Sequence, residues 1–89
     1  MARQIITFEG ATPQLGERVF VAQSAEIIGR VTIGDDASIW PKVVIRGDVN
    51  EITIGARTNL QDGVIVHVAN EKVDGHGYAT IIESDVTVG

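Results

Sequence analysis

The chain has 89 residues, a net charge of −5 and no cysteine. Its length suits one small domain, and its acidity argues against nucleic acid or an anionic membrane as the main partner. The absence of cysteine excludes disulfides and thiolate metal sites. No apolar run is long enough to span a bilayer, and the N-terminus lacks the apolar core of a signal peptide, so we expect a cytoplasmic protein.

The composition predicts a nearly all-β protein. Ile and Val greatly outnumber Leu, and there are 10 glycines. β-branched side chains favour strands, and glycine favours turns. No segment shows the 3.6-residue period of an amphipathic helix. In chain order, we interpret residues 1–17 as a lead-in strand and loop. Residues 18–89 form one repeat domain with a loop insertion at 69–80.

An internal repeat of six residues organises that domain. From Val21 onward an aliphatic residue recurs every six positions, and a small or branched residue fills the fifth place of most units. The phase slips by three residues at "EIT" (51–53), and it breaks again through "NEKVDGHGYAT" (70–80) before it returns. A six-residue unit is a short strand and a turn, in which the first, third and fifth side chains share one face. The aliphatic positions are Val21, Ile27, Ile33, Ile39, Ile45, Ile54, Leu60, Val66, Ile82 and Val88.

Three such units make one triangular coil, and successive coils stack at about 4.8 Å, the spacing of neighbouring strands. The aliphatic positions then form ladders inside a solenoid in which each coil contacts only its neighbours. Glycines such as Gly29, Gly34 and Gly55 fall where the chain must bend. An antiparallel sandwich of short strands is the alternative, and the fixed six-residue phase disfavours it.

Polar groups concentrate in "RGDVNEITIGARTNLQDGVIVHV", residues 46–68. Arg46 and Asp48 are two residues apart, so both can face the same way off a strand, and arginine can pair with a carboxylate across an interface. Imidazole is a good zinc ligand, and amide or carboxylate groups can orient such a ligand or its water. The alternative is structural: Gln61 and Asp62 can cap a turn, and His67 can be an ordinary surface residue.

The hexads resemble those of hexapeptide-repeat proteins, which form left-handed parallel β-helices. Within that group, "IWPKVVIRGDVNEITIG" followed by "TNLQDGVIVHV" resembles the γ-class carbonic anhydrase family. The fold class that follows is all-β, a left-handed parallel β-helix of about three to four coils. The resemblance also implies a homotrimer in which three histidines hold a catalytic zinc between subunits, and the reaction is hydration of CO2 to bicarbonate. On this basis His67 is a metal ligand.

The resemblance assigns roles to the other motif residues as well. Gln61 and Asp62 are expected to line the pocket and to hydrogen-bond the zinc-bound water or the substrate. Asn59 belongs to the same polar network. Arg46 and Asp48 are expected at the subunit interface, where they order the site and the contact between subunits.

The sequence departs from the family pattern at its C-terminal side. The family's second and third histidines fall beyond Gly89, and the chain offers only His67 and a loop histidine, His76, to which we assign no role. The family's proton-transfer acid has no clear match, since Asn70 occupies the third place after His67 and Glu71 lies next to it. We therefore expect an incomplete zinc site and an inactive chain. We also expect either a fragment or truncated relative, or an open end that another copy covers.

Two other functions stay open. The chain could be a hexapeptide acyltransferase, in which a histidine between subunits acts as a general base on an acceptor hydroxyl or amine. It could also be a non-catalytic assembly protein, an oligomer that needs no metal. The sequence does not decide whether the chain is an enzyme.

Overall fold

A computed structural model describes residues 4–67 and 79–89, and all regular elements in these residues are β-strands. The described residues contain no helix capable of crossing a membrane. The strands, in chain order, are β1 (Ile5–Ile6), β2 (Gln14–Leu15), β3 (Phe20–Val21), β4 (Glu26–Ile33), β5 (Ser38–Ile39), β6 (Val44–Ile54), β7 (Asn59–Leu60), β8 (Ile65–His67), β9 (Thr80–Ile82) and β10 (Thr87–Val88).

The strands pair in parallel and form the three faces of a prism. Face 1 contains β2, β9 and the second halves of β4 and β6. Face 2 contains β3, β5, β7 and β10. Face 3 contains β1, β8 and the first halves of β4 and β6. Because β4 and β6 bend across one corner, faces 1 and 3 share a single sheet. This is the predicted hexapeptide-repeat β-helix.

The register between coils measures the repeat directly. Val21 pairs with Ile39, which lies three hexads later in the chain, so a regular coil consists of three hexads. Ile39 pairs with Leu60, and this interval exceeds three hexads by the same three residues that the slip at "EIT" adds. Leu60 pairs with Val88 across a still longer interval, which includes the second break in phase. The two phase breaks seen in the sequence are therefore insertions into an otherwise regular helix.

The two insertions lie at defined places. The first falls within β6, because Gly29 pairs with Gly47 at the regular interval of three hexads, whereas Val31 pairs with Ile52 at the longer one. The second lies between β8 and β9. Most of the predicted loop at 69–80 is outside the described residues, and Thr80 already belongs to β9.

The core is the set of aliphatic ladders that the hexads predict. The three partly buried members of that set, Val21, Ile82 and Val88, pack against the buried ones. Thr58 is the one fully buried polar residue among those described. Its hydroxyl donates to the carbonyl of Glu83 and so links two coils across the second insertion. The buried aliphatic positions are Ile27, Ile33, Ile39, Ile45, Ile54, Leu60 and Val66.

The corner between faces 1 and 2 contains charged residues where left-handed backbone is required. Arg18, Asp36, Arg57 and Asp85 have φ between 56° and 63°, one in each coil. Arg18 donates to both carboxylate oxygens of Asp36, at 2.7 and 3.0 Å, and Arg57 donates to both oxygens of Asp85, at 2.7 and 2.9 Å. These pairs are exposed and each contributes little stability. They do favour one alignment of successive coils.

Candidate functional site

Arg46 and His67 lie side by side on the outer surface of face 3. They are register partners on neighbouring parallel strands, so their backbones are about 4.8 Å apart. Their sequence neighbours Ile45 and Val66 point into the core, and strand alternation directs Arg46 and His67 outward. Ile28 precedes Arg46 in the same row, one coil earlier. The structure therefore brings together two of the predicted site residues.

Asp48 is bound to Arg46 within one chain. The Arg46 guanidinium donates to Asp48 Oδ2 at 2.9 Å, and the other carboxylate oxygen accepts from the backbone N–H of Val49 at 3.0 Å. The Asp48 side chain is 18% exposed and that of Arg46 is 44% exposed. The hydrogen bond from Arg46 lowers the pKa of Asp48, and desolvation of the carboxylate opposes that effect.

This pair makes stability depend on pH in the acid range. The pKa of Asp48 in the folded protein is below its ordinary value of 3.8, so the native state favours the ionised form. The stabilisation is complete above about pH 3.8 and is lost as the pH falls through the lower native pKa. We expect the urea unfolding midpoint to fall as the pH is lowered below about 4, and Arg46→Gln to flatten part of that decline.

Arg30→Gln is the matched control for that titration, because Arg30 donates to the backbone carbonyl of Asp48 and not to a carboxylate. It should lower the midpoint by a similar amount at every pH. An unchanged acid profile in Arg46→Gln would contradict the role given to the ion pair.

Asn59, Gln61 and Asp62 lie on and beside face 2. Asn59 is in β7, and its Oδ1 atom is buried without a hydrogen-bond partner among the described residues. Such an atom is costly to leave unpaired. Gln61 and Asp62 are exposed in the turn that follows, where the N–H of Gly63 donates to the carbonyl of Pro41 at 3.0 Å. This turn leads from face 2 to face 3.

The predicted site residues therefore form two groups on two faces of one copy. The structure does not place Asn59 and Gln61 in the row that contains Arg46 and His67. No group of three or more potential metal ligands occurs within residues 4–67 and 79–89. His76, Asn70 and Glu71 lie outside the described residues. Within one copy, the described residues include one histidine, His67, and a single imidazole cannot form a complete zinc site.

Trp40 is a residue that our site prediction did not include. It follows β5, and its backbone N–H donates to the carbonyl of Leu60 at 3.0 Å. Its ring packs on Phe20 with a centroid distance of 5.0 Å, and Trp40 and Phe20 are 38% and 49% exposed respectively. The sequence signal was an aromatic residue at an outward position of the motif, where polar residues are usual.

Three comparisons relate the chain to known proteins. A family model described as bacterial transferase hexapeptide (six repeats) matches residues 12–47. Protein YrdA of Escherichia coli K12 is 50% identical over 78 residues, which are 86% of this chain and 42% of that protein. Gamma carbonic anhydrase 2, mitochondrial, of Arabidopsis thaliana is 45% identical over 98% of this chain and 31% of its own length.

Solved structures agree with the fold. A hexapeptide transferase family protein from Anaplasma phagocytophilum has a TM-score of 0.83 at 39% identity, covering 96% of this chain and 46% of that one. A structure described as a putative acetyltransferase of Bacillus cereus has a TM-score of 0.85 at 38% identity, with the same coverage.

The repeat, the fold and these matches define the chain as a hexapeptide-repeat β-helix protein. Within that class its sequence matches proteins named as carbonic anhydrases over almost the full length of this chain. The chain spans less than half the length of each relative described above.

Proposed function

We propose that this chain belongs to a γ-carbonic anhydrase-like protein that hydrates CO2 with a zinc ion. The observation that carries the proposal is the row of Arg46 and His67 on face 3, together with the Asn59, Gln61 and Asp62 group on and beside face 2. We place the protein in the cytoplasm as part of the same proposal, although some relatives are named as mitochondrial.

The separation of the two groups supports a site completed between copies. A cyclic homo-oligomer, which we propose to be a trimer, would bring the face 2 turn of one copy against face 3 of the next. His67 would then supply one metal ligand. The remaining ligands would come from the next copy or from parts of the whole protein other than this chain, and none is assigned to His76. A bound zinc would supply the Lewis acidity that activates water at neutral pH.

The polar residues around that site have distinct tasks under this proposal. The Asn59 Oδ1 atom would accept a hydrogen bond from a donor on the next copy or from bound water, which would end its isolation. Gln61 and Asp62, exposed in the turn, would orient the substrate or its attacking water. Arg46 and Asp48 would keep face 3 ordered beside His67 through their 2.9 Å contact.

Metal content tests the proposal directly. In the whole protein to which we propose this chain belongs, we expect roughly one zinc for each chain, and loss of most of it in His67→Ala. His76→Ala is the matched control, because it removes the other histidine of this sequence, to which no role is assigned, and should keep the zinc. Elemental analysis gives the metal content. The rate of CO2 hydration, measured by stopped flow, should be lost in His67→Ala and retained in His76→Ala. Zinc retained in His67→Ala, or absent from the unmodified protein, would contradict the proposal.

An acyltransferase is the second candidate, favoured by the similarity to a hexapeptide transferase family protein and to a protein described as a putative acetyltransferase. In that case a histidine such as His67 would act as a general base on an acceptor hydroxyl or amine. Acetyl-CoA would then raise the thermal midpoint by mass action, and zinc removal would leave this effect unchanged. The absence of a shift with acetyl-CoA would argue against this alternative.

A further inference from the structure

Trp40 stands one coil before Gln61 in the same outward row. Ile39 and Leu60 are register partners, so the residues that follow them, Trp40 and Gln61, are also aligned. The ring of Trp40 is held by Phe20 rather than projecting freely into solvent. It is the only tryptophan of the chain. A half-exposed, supported aromatic pair next to a candidate site residue is typical of an interface anchor.

Arg46 stands one coil before His67 in its own row on face 3. Arg46 and His67 are register partners, and the interval between them equals the interval between Trp40 and Gln61. In a ring of copies whose β-helix axes are parallel to the axis of the ring, corresponding coils of neighbouring copies lie at the same level along that axis. A rotation that brings Gln61 of one copy to His67 of the next therefore brings Trp40 to Arg46.

The chemistry of the two side chains fits that contact. The Arg46 guanidinium keeps its hydrogen bond to Asp48 at one edge while nearly half of its side chain remains exposed. A planar guanidinium can stack on an aromatic ring and bind a carboxylate at the same time. The negative face of indole attracts such a cation.

The surroundings of Arg46 are also apolar enough to receive an aromatic pair. Val44 and Ile28 are partly exposed beside it, and Ile65 is 67% exposed on the next strand. Strand alternation places these side chains on the same outer surface of face 3. Burial of this aliphatic surface against Phe20 and Trp40 would add hydrophobic stabilisation to the cation–π contact.

We propose that Trp40 of one copy stacks on Arg46 of the next, so that this aromatic pair anchors the interface that completes the candidate site. The inference rests on the proposed function for the pairing of face 2 with face 3. We take the partner to be a second copy of this chain for two reasons. The candidate site is divided between faces 2 and 3, and Trp40 precedes Gln61 by one coil just as Arg46 precedes His67 by one coil.

Self-association is the first test. Sedimentation equilibrium of the Trp40→Ala protein should show copies that dissociate at least about tenfold more readily, with Trp40→Phe intermediate. Phe8→Ala is the matched control, since Phe8 is also 38% exposed but lies in the isolated bridge with Ala11. Far-UV circular dichroism confirms the fold of each variant. Self-association of Trp40→Ala within twofold of the unmodified protein would overturn the proposal.

Tryptophan fluorescence provides a second readout that needs no variant. Trp40 should be protected from iodide quenching in the assembled protein and become quenchable on dilution to single copies. A double-mutant cycle tests the same contact. The dissociation constant of the Trp40→Ala, Arg46→Met double variant should rise by less than the product of the two increases measured for the single variants. Equal quenching at all concentrations, or a protein that never self-associates, would contradict the contact.

The outcomes also separate this proposal from the proposed function. If the protein contains no zinc and hydrates no CO2, yet Trp40→Ala dissociates it, the interface stands and the proposed chemistry fails. If zinc binds through His67 while Trp40 stays fully quenchable, the site stands and the Trp40 contact fails.

Discussion

Replacing Gly29 with alanine is expected to lower the free energy of unfolding by about 3 kcal/mol or more, which is a large fraction of the stability of a domain of this size. Gly29 has a φ of 78°, which alone costs an alanine about 1 kcal/mol. A Cβ atom there would also lie 2.5 Å from the carbonyl oxygen of Gly47 and 3.0 Å from its carbon. Those atoms belong to the backbone of the next coil, so they can move only if the two coils separate.

Gly63→Ala separates the two causes. Gly63 has nearly the same φ, 79°, and an added Cβ would meet no atom within 4 Å. We expect this variant to lose only about 1 kcal/mol, the cost of the left-handed backbone alone. Urea unfolding followed by circular dichroism measures both variants. If Gly29→Ala costs no more than Gly63→Ala, the close approach of the two coils at Gly29 and Gly47 is not as the structure shows.

Replacing Ile45 with alanine is expected to cost about 2 to 5 kcal/mol, because it leaves a cavity in the middle coil. Ile45 is fully buried, and its register partners on either side are Ile27 and Val66. A parallel helix of stacked coils relaxes poorly around such a cavity, since each coil is hydrogen-bonded to the next. Chemical denaturation with a two-state fit gives the change in free energy of unfolding.

Ile81→Ala is the matched control for Ile45→Ala. Ile81 is also an isoleucine in a parallel strand, but it is 68% exposed on face 1. Its replacement should change stability by less than about 0.5 kcal/mol. Comparable losses for the two variants would mean that the interior ladders are not the main source of stability in this fold.

The division of the candidate site between two faces has a consequence for its chemistry. Arg46 and His67 can be ordered by one copy, since the register of β6 and β8 and the bond to Asp48 fix their positions. Asn59 keeps a buried oxygen that no described residue satisfies. If the proposed function holds, assembly would couple catalysis to association, because the polar groups of the two faces would meet only when copies bind.

The amino-acid sequence by itself determined the architecture of this protein. The six-residue period of aliphatic residues is local, so it specifies a short strand and a turn without knowledge of any distant contact. The two breaks in phase likewise marked the insertions, which the register shows as two intervals longer than three hexads. The motif from Arg46 to His67 was also visible, because its combination of residues resembles the pattern of the γ-class carbonic anhydrases.

Only the tertiary structure decided which of those residues meet. Each turn can reset the alternation of side chains, so the sequence could not assign Asn59 and Gln61 to face 2 while Arg46 and His67 lie on face 3. At one corner the left-handed backbone falls on charged residues such as Asp36 and Arg57, and not on the neighbouring Gly34 and Gly55. The alignment of Trp40 with Gln61 depends on how the coils stack across the first insertion. These relations are long-range, and local sequence patterns do not contain them.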